Sequence, residues 1–208
     1  TVCVPFAVPE ETEALRARLG PADAPRLDAA ACDVTDEAAV NRFVAGVVER
    51  HGRVDVLVNA VGGFAGGDLA STSLTEWNRM LTLNLNTAVL GCRAVLPAMT
   101  RAGRGRIVNI ASRAVVPPQG GFIAYTVSKS AVITLTQALA QEVRAHGITV
   151  NAVLPSTMDT EANRRSTPGA DHSRWPKVEE VARAIAFLAS PANSVTSEYS
   201  TAKPVADL

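Results

Sequence analysis

The chain has 208 residues, of which 47% are hydrophobic, and its 20 basic side chains balance 20 acidic ones. This size and composition predict one domain, residues 1–208, with a substantial core. The balanced charge argues against nucleic acid as a partner, and no apolar stretch is long enough to predict a membrane span. The 3 widely spaced cysteines argue against a disulfide framework and a zinc site, and they favour a cytoplasmic protein without a metal.

Short β-rich runs alternate along the chain with longer amphipathic stretches, as expected for parallel strands joined by helical crossovers. In chain order, the predicted elements are strand 1–6, helix 9–19, strand 27–32, helix 36–51, strand 54–59, helix 73–99, strand 107–111, helix 122–146, strand 148–154, helix 178–189 and an edge strand within 194–205. This order predicts an α/β fold, a doubly wound and mostly parallel sheet with helices on both faces.

Local signals set the ends of several elements. Asp36 and Gly52 are typical of the N-cap and the stop of one predicted helix. Pro97 is expected to perturb the end of the 73–99 helix, which is long enough to contain a bend or two segments. The segment 155–176 is polar and follows a strand, so we predict a mobile loop that covers a ligand; ordinary surface disorder is the alternative.

The best signal for chemistry is Tyr125, which stands four residues before Lys129 in the 122–146 helix. Residues at this spacing share one helix face, so the ammonium is predicted to lower the pKa of the phenol and to favour proton transfer near neutral pH. Ser112 ends the strand before this helix and is therefore expected at the carboxyl edge of the sheet, where open α/β sheets bind ligands. A Tyr-Lys pair by itself is a weak signal, because such pairs occur on many solvated helices.

Five motifs follow one another in a characteristic order. They are Asp33-Val34 at a strand end, the turn Val58-Asn59-Ala60-Val61-Gly62, Leu83-Asn84-Leu85, Ser112 with Tyr125 and Lys129, and the run Val150-Asn151-Ala152-Val153-Leu154-Pro155. Together they resemble the short-chain dehydrogenase/reductase family, whose members bind a nicotinamide dinucleotide on a doubly wound sheet. The resemblance extends over most of the chain.

The resemblance implies an oxidoreductase that interconverts a carbonyl and an alcohol with NAD or NADP, without indicating which. It implies that Tyr125 protonates the carbonyl oxygen and that Ser112 hydrogen-bonds this oxygen. Lys129 would lower the pKa of the tyrosine and hold the nicotinamide ribose, and Asn84 would position a water leading to the lysine. The implied cofactor-binding residues are Asp33, Val34, Asn59, Ala60, Gly62, Tyr125, Lys129, Pro155, Ser156 and Thr160.

The chain departs from the family pattern in several places. Ala60 and Val61 replace an asparagine and an alanine of the turn, and Ser156 replaces a glycine. Residues 202–205 lack the common Asp-Gly-Gly ending. No Gly-x-x-x-Gly-x-Gly turn, which holds the pyrophosphate in the family, precedes Thr1.

We therefore expect that the family's first strand and its helix, one βα unit of about 30 residues, are absent from the given chain. That strand would lie between the predicted strands 1–6 and 54–59. Its absence is expected to leave unpaired backbone groups and exposed apolar surface in the middle of the sheet.

Two other functions compete with the oxidoreductase: a non-catalytic domain, and a redox-neutral enzyme that has lost dinucleotide binding. Ser112, Tyr125 and Lys129 argue against the non-catalytic domain, because burying polar groups that serve no function would cost stability. The resemblance implies a small-molecule substrate. A highly anionic one is disfavoured because arginine and lysine are scarce near the predicted site, with Arg113, Arg164 and Arg165 as the exceptions. The resemblance further implies a homodimer or homotetramer that pairs through the helices 73–99 and 122–146.

Overall fold

The computed structural model describes residues 1–6, 8–194, 196 and 199–200. The strands and α-helices are, in chain order, β1 Val2–Phe6, α1 Pro9–Arg18, β2 Leu27–Ala31, α2 Glu37–His51, β3 Val56–Asn59, α3 Leu74–Leu81, α4 Thr87–Ala102, β4 Gly105–Ile110, α5 Ile123–Val143, β5 Ile148–Val153, α6 Glu161–Ser166, α7 Val178–Ala189 and β6 Tyr199–Ser200. Short 3₁₀ turns cover Ala24–Arg26, Arg144–His146 and His172–Arg174, and a π-helical segment covers Thr82–Asn86. The predicted alternation is confirmed, and β6 lies within the predicted edge strand, most of which is outside the described residues.

The strands form two parallel sets. β1 pairs with β2, and β3, β4, β5 and β6 pair in that order. Within the described residues β1 and β3 share no ladder, and the β3 side chains of Val56 and Val58 are 37% and 39% exposed. This interruption lies where the sequence analysis expects a further strand. Helix contacts connect the two sets, since Glu37 of α2 pairs with Arg93 of α4 at 3.1 Å.

Helices cover both faces of the four-stranded set. Ile107 and Val108 are neighbours on β4, so their side chains point to opposite faces. Ile107 belongs to a buried cluster with Met99 of α4 and Leu139 of α5. Val108 belongs to a second cluster with Val181 of α7. The prediction of a doubly wound sheet is therefore confirmed.

The ends of the helices follow the predicted signals in one case and depart from them in another. Asp36 Oδ1 accepts a hydrogen bond from Ala39 N at 3.0 Å, and Gly52 ends α2 with φ of 77°. The predicted 73–99 helix consists of α3 and α4, joined by the π-helical segment. Pro97 does not end the helix at residue 99, because α4 continues past it to Ala102; a perturbation of the helix by Pro97 stays a prediction. Burial of the following residue pair, Ala98 and Met99, holds the last turn in place although the proline lacks an N–H.

Residues 155–176, predicted as a mobile loop, contain α6 and one 3₁₀ turn. Asp159 N donates a hydrogen bond to Pro176 O at 2.9 Å, which closes the segment. The ring of Trp175 contacts that of His172 at a tilted angle of 46°, with the ring centroids 4.5 Å apart. The segment therefore has internal contacts, and its movement over a ligand stays a prediction.

α5 has 21 residues and carries the buried polar side chains of Thr126, Ser128, Lys129 and Thr136. A buried polar group costs free energy unless it finds partners, so these residues mark the face of α5 that interacts with other elements. Among the described helices, none is long and apolar enough to cross a bilayer.

A first prediction concerns Gly147, which precedes β5. Gly147 and Gly103 both have left-handed φ values, 67° and 63°. A Cβ on Gly147 would collide with Gly103 O, whereas a Cβ on Gly103 would have no atom within 4 Å. Both alanine variants incur the left-handed penalty, so we expect Gly147→Ala to lower the free energy of unfolding by about 1–2 kcal/mol more than Gly103→Ala. Urea denaturation measures this difference, and equal losses would contradict it.

Candidate active site

The candidate site lies at one edge of the four-stranded set. β3, β4 and β5 are parallel, with Asn59 opposite Asn109, so the carboxyl ends of these strands meet at the same edge. Ser112 follows β4 and Pro155 follows β5. Arg113 N donates a hydrogen bond to Pro155 O at 2.9 Å, which joins the two strand exits. The structure thus places Ser112 where the sequence analysis expects it.

Tyr125 lies in the first turn of α5, close enough to Ser112 for the serine side chain to affect its pKa. Tyr125 is half-buried and Ser112 is buried. Burial raises the pKa of Tyr125 above 10.0, and a hydrogen-bonding interaction with the Ser112 side chain offsets part of this rise. The prediction that Lys129 lowers the pKa of Tyr125 is wrong here, because desolvation of the phenolate dominates. A phenol with a raised pKa stays protonated at neutral pH and is therefore a proton donor.

Lys129 is bonded to the backbone at the end of β4. Its Nζ donates a hydrogen bond to Ile110 O, at the end of β4, at 2.7 Å, and the residue is 6% exposed. Desolvation lowers the pKa of Lys129 from 10.5 to about 8. The ammonium is therefore held at the strand exit, and its proton is released much nearer neutral pH than that of a solvated lysine.

Asn84 lies in the π-helical segment and joins two parts of the site. Its Oδ1 accepts a hydrogen bond from Gly63 N, and its Nδ2 donates to Gly63 O and to Ser128 Oγ, each at 3.0 Å. Ser128 Oγ donates in turn to Tyr125 O at 2.8 Å. The sequence analysis missed Ser128, although its place one residue before Lys129 puts it beside the predicted pair. The water-positioning role of Asn84 stays a prediction.

The glycine-rich turn approaches this cluster closely at Gly62. A Cβ on Gly62 would lie 2.7 Å from Asn84 Oδ1 and 3.1 Å from Lys129 Nζ. Only glycine therefore fits there without displacing one of the two side chains. A buried ammonium beside an exposed backbone turn suits a polar group with several oxygens, such as the ribose of a nicotinamide dinucleotide. The residues present fit the nicotinamide half of NAD or NADP.

The side chain of Asn59, a predicted cofactor-binding residue, is engaged inside the protein. Its Nδ2 donates to Asn109 Oδ1 at 2.8 Å, and Asn109 Nδ2 donates to Thr136 Oγ1 at 2.9 Å. Asn109 and Thr136 are buried, so the side chain of Asn59 belongs to a polar network between the sheet and α5. Any cofactor contact of Asn59 would come from its backbone.

The remaining predicted cofactor residues lie at strand exits or in the following loop. Asp33 is exposed after β2, and its Oδ1 accepts hydrogen bonds from Thr35 N at 2.8 Å and Thr35 Oγ1 at 2.7 Å, which lower the pKa of the Asp33 carboxyl. Thr160 Oγ1 accepts a hydrogen bond from Asn163 N at 3.2 Å as the N-cap of α6. Val34 is half-buried and Pro155 is buried, whereas Ala60 and Ser156 are exposed. Their cofactor contacts stay predictions.

Two aromatic residues that the sequence analysis missed surround the predicted proton donor. The ring of Phe64 lies 5.0 Å from that of Tyr125 in an edge-on arrangement, and the ring of Phe122 lies 6.1 Å from it. We call Phe64, Phe122 and Tyr125 the aromatic cluster. The sequence signal that could have indicated Phe64 is its position as the single aromatic residue in the glycine-rich segment 62–67.

A group with metal-ligand chemistry lies elsewhere, on the β1–β2 pair. One ligand atom each of Cys3, Asp28 and His51 lies within 4.8 Å of the others, although the sequence analysis predicts no metal site. Arg50 Nε donates to Asp28 Oδ2 at 3.0 Å, so a guanidinium already neutralises the one carboxylate of this group. These contacts therefore give little support to a metal ion at this group.

A doubly wound domain in which a serine, a tyrosine and a lysine lie at the carboxyl edge of the sheet is typical of a dinucleotide-dependent oxidoreductase. A family model described as short chain dehydrogenase matches residues 2–171. The chain belongs to this family.

Individual proteins show the same similarity. The D-threitol dehydrogenase of Mycolicibacterium smegmatis is 35% identical over 192 residues, which cover 88% of this chain and 74% of that protein. A structure of ElxO with NADP bound has a TM-score of 0.88 at 28% identity, covering 96% of this chain and 85% of that chain. A structure of NAD⁺-bound xylitol dehydrogenase has a TM-score of 0.85 at 26% identity, covering 96% of this chain and 86% of that chain.

A second prediction concerns the stability cost of the buried ammonium. The folded-state pKa of Lys129, about 8, lies below its ordinary value of 10.5, so charged Lys129 destabilises the fold below pH 8. This cost falls as the pH rises from 8 to 10.5, because the folded state then loses the proton first. With ~1.4 kcal/mol for each pKa unit and roughly 1 kcal/mol lost with the hydrogen bond to Ile110, Lys129→Met should raise the free energy of unfolding at pH 7 by about 2 kcal/mol.

Urea denaturation at pH 7 and at pH 10.5 measures this effect. The exposed Lys177 provides the matched control, since Lys177→Met also removes one positive charge. We expect a gain for Lys129→Met at pH 7 that shrinks at pH 10.5, and no comparable gain for the control. A gain that grows with pH would contradict the interpretation.

Proposed function

We propose that Ser112, Tyr125, Lys129 and Asn84 form the active site at which this oxidoreductase interconverts a carbonyl and an alcohol with NAD or NADP. The observation that carries the proposal is the hydrogen bond from Lys129 Nζ to Ile110 O, which places α5, with Tyr125 one helical turn earlier, at the strand exit from which Ser112 follows. The influence of the Ser112 side chain on the pKa of Tyr125 agrees with this placement. Membership of the family supports the same reaction, and the related structures with NADP or NAD⁺ support either cofactor. The comparisons give no support to a non-catalytic or redox-neutral function.

The proton chemistry follows from the environment of Tyr125. Its raised pKa keeps the phenol protonated, so in the direction of reduction it donates a proton to the carbonyl oxygen of the substrate. The Ser112 hydroxyl donates a hydrogen bond to the same oxygen and stabilises the negative charge that develops on it. When bound, the nicotinamide supplies the hydride to the carbonyl carbon or accepts it in the reverse direction.

Lys129 serves both the proton transfer and the cofactor. After Tyr125 has given up its proton, the Lys129 ammonium would offset part of the desolvation cost of the phenolate, a contribution too small to reverse the rise in the pKa of Tyr125. The Nζ group, which the structure shows at Ile110 O beside Gly62, would hold the nicotinamide ribose through its other protons. Ala60 and Gly62 on one side and Pro155 with Ser156 on the other would border the nicotinamide.

The charges around the site support an uncharged small molecule as substrate. Arg164 donates to Asp159 Oδ2 at 2.8 Å, and Arg165 donates to Glu161 Oε1 at 2.7 Å. Two of the three arginines considered for an anionic substrate are thus already paired with carboxylates. Arg113 remains the one that an anion could use.

We also infer a cytoplasmic homodimer or homotetramer. Leu74 on α3 and Val127 on α5 are exposed apolar residues, which supports subunit contacts through these helices. The free cysteines support a reducing compartment.

A third prediction tests the proton donor. Tyr125→Phe keeps the ring and removes the hydroxyl, so kcat/KM for carbonyl reduction should fall by about 100-fold or more while the affinity for NADH or NADPH changes little. Ser130→Ala, which removes a hydroxyl from the same helix outside the site, is the control. Steady-state kinetics and fluorescence titration provide the two measurements, and unchanged turnover in Tyr125→Phe would remove the assignment.

A fourth prediction tests the second role of Lys129. Lys129→Met should weaken binding of NADH or NADPH by about tenfold, because a charge-assisted hydrogen bond to the ribose is lost. Fluorescence titration with each nucleotide measures the change, with Lys177→Met as the reference. The variant would then combine higher stability at pH 7 with weaker cofactor binding. Normal affinity would contradict the ribose contact.

A further inference from the structure

We propose that Phe64 and Phe122 form an apolar wall of the substrate site, selecting uncharged carbonyl compounds that carry an alicyclic or aromatic group directly on the carbonyl carbon. This inference rests on the proposed function, since it takes Tyr125 as the proton donor. It adds to that function the chemical class of the substrate and the residues that select it.

The geometry of the aromatic cluster is the first support. Phe64 meets Tyr125 at 5.0 Å with an interplanar angle of 66°, and it meets Phe122 at 5.8 Å with an angle of 50°. Tilted and edge-on contacts of this kind leave part of each ring face free. A substrate whose oxygen lies at the Tyr125 hydroxyl would have its adjacent carbon group beside these rings.

The exposure of Phe64 is the second support. Its side chain is 63% exposed, whereas Phe122 and Tyr125 are half-buried. A phenylalanine that packed the turn onto α5 would bury most of its ring, because the stabilising free energy of such packing comes from burial of apolar surface. Most of the Phe64 surface is instead left open beside a proposed proton donor.

The anchoring of the turn shows that the ring is not needed to hold it. On one side of Phe64, the backbone of Gly63 is bound at both its N–H and its carbonyl by Asn84. On the other side, Gly67 N donates to Gly121 O at 2.7 Å, and Ile123 N donates to Gly67 O at 3.1 Å. These bonds fix the turn against the start of α5. The ring of Phe64 is therefore not needed to hold the turn in place and stays available for contact with a ligand.

The composition of the two neighbouring segments is the third support. Residues 60–67 and 114–122 contain no charged side chain, and their side chains are almost all apolar. A polyhydroxylated or anionic group at this wall would lose hydrogen bonds to water without finding partners, which costs free energy. An apolar ring would instead gain from burial and from aromatic contact.

The test compares acetophenone, which has an aromatic ring on the carbonyl carbon, with dihydroxyacetone, which has polar groups on both sides. We expect the wild-type protein to reduce acetophenone with the higher kcat/KM. Phe64→Ala should lower the ratio of the two kcat/KM values about tenfold, the size expected for the loss of one aromatic contact with its buried area. Phe64→Leu, which keeps an apolar side chain, should restore most of the ratio.

Phe187 offers a matched control. It is 61% exposed on α7 and lies outside the aromatic cluster, so Phe187→Ala should leave the ratio unchanged. A wild-type preference for dihydroxyacetone, or an unchanged ratio in Phe64→Ala, would overturn the proposal.

A binding measurement separates this proposal from the proposed function. Saturation-transfer NMR with acetophenone reports contact of its ring protons with the protein whether or not reduction occurs. If neither ketone is reduced by the wild-type protein while the transfer is strong and is lost in Phe64→Ala, the catalytic assignment fails and the apolar wall is supported. Equal transfer in the wild type and Phe64→Ala would overturn the wall by itself.

Discussion

The hydrogen bond from Lys129 Nζ to Ile110 O joins the middle of one face of α5 to the end of β4. This contact ties α5 to the sheet one turn after Tyr125, in addition to the apolar packing of Leu139 and Val143 further along the helix. Ser112 leaves the same strand two residues after Ile110. One strand exit therefore provides both a hydrogen-bond acceptor for Lys129 and the serine that influences the pKa of Tyr125.

Two networks of side-chain amides support this arrangement. Asn59, Asn109 and Thr136 link β3, β4 and α5 below the site. Asn84 links the glycine-rich turn to Ser128 on α5 beside it. Buried amides are costly unless their hydrogen bonds are made, and here each supplies a bond between different elements. The strand exits are thereby held in one register relative to the helix that carries Tyr125 and Lys129.

The site places stability and function in opposition. Burial raises the pKa of Tyr125 and lowers that of Lys129, which means that the charged form of each group is disfavoured inside the protein. A protonated phenol can act as a proton donor. A desolvated ammonium destabilises the fold, and a hydrogen bond to a cofactor oxygen would offset part of this destabilisation. Phe64 likewise contributes little to the stability of the fold, because most of its ring is exposed, and this surface would be buried by an apolar ligand.

By itself, the sequence determined the order of strands and helices, the cap and stop of α2, the placement of Ser112 at a strand exit and the family. The elements, the caps and the position of Ser112 depend on periodicity and spacing within a single element, whereas the family depends on the order of five motifs along the chain. Only the tertiary structure decided that the pKa of Tyr125 rises, that Lys129 bonds to Ile110, that the Asn59 side chain points inward and that Phe64 meets Tyr125. The physical reason is that desolvation, hydrogen-bond partners and ring contacts are set by atoms from distant segments of the chain, and no local pattern specifies which of those atoms will be near.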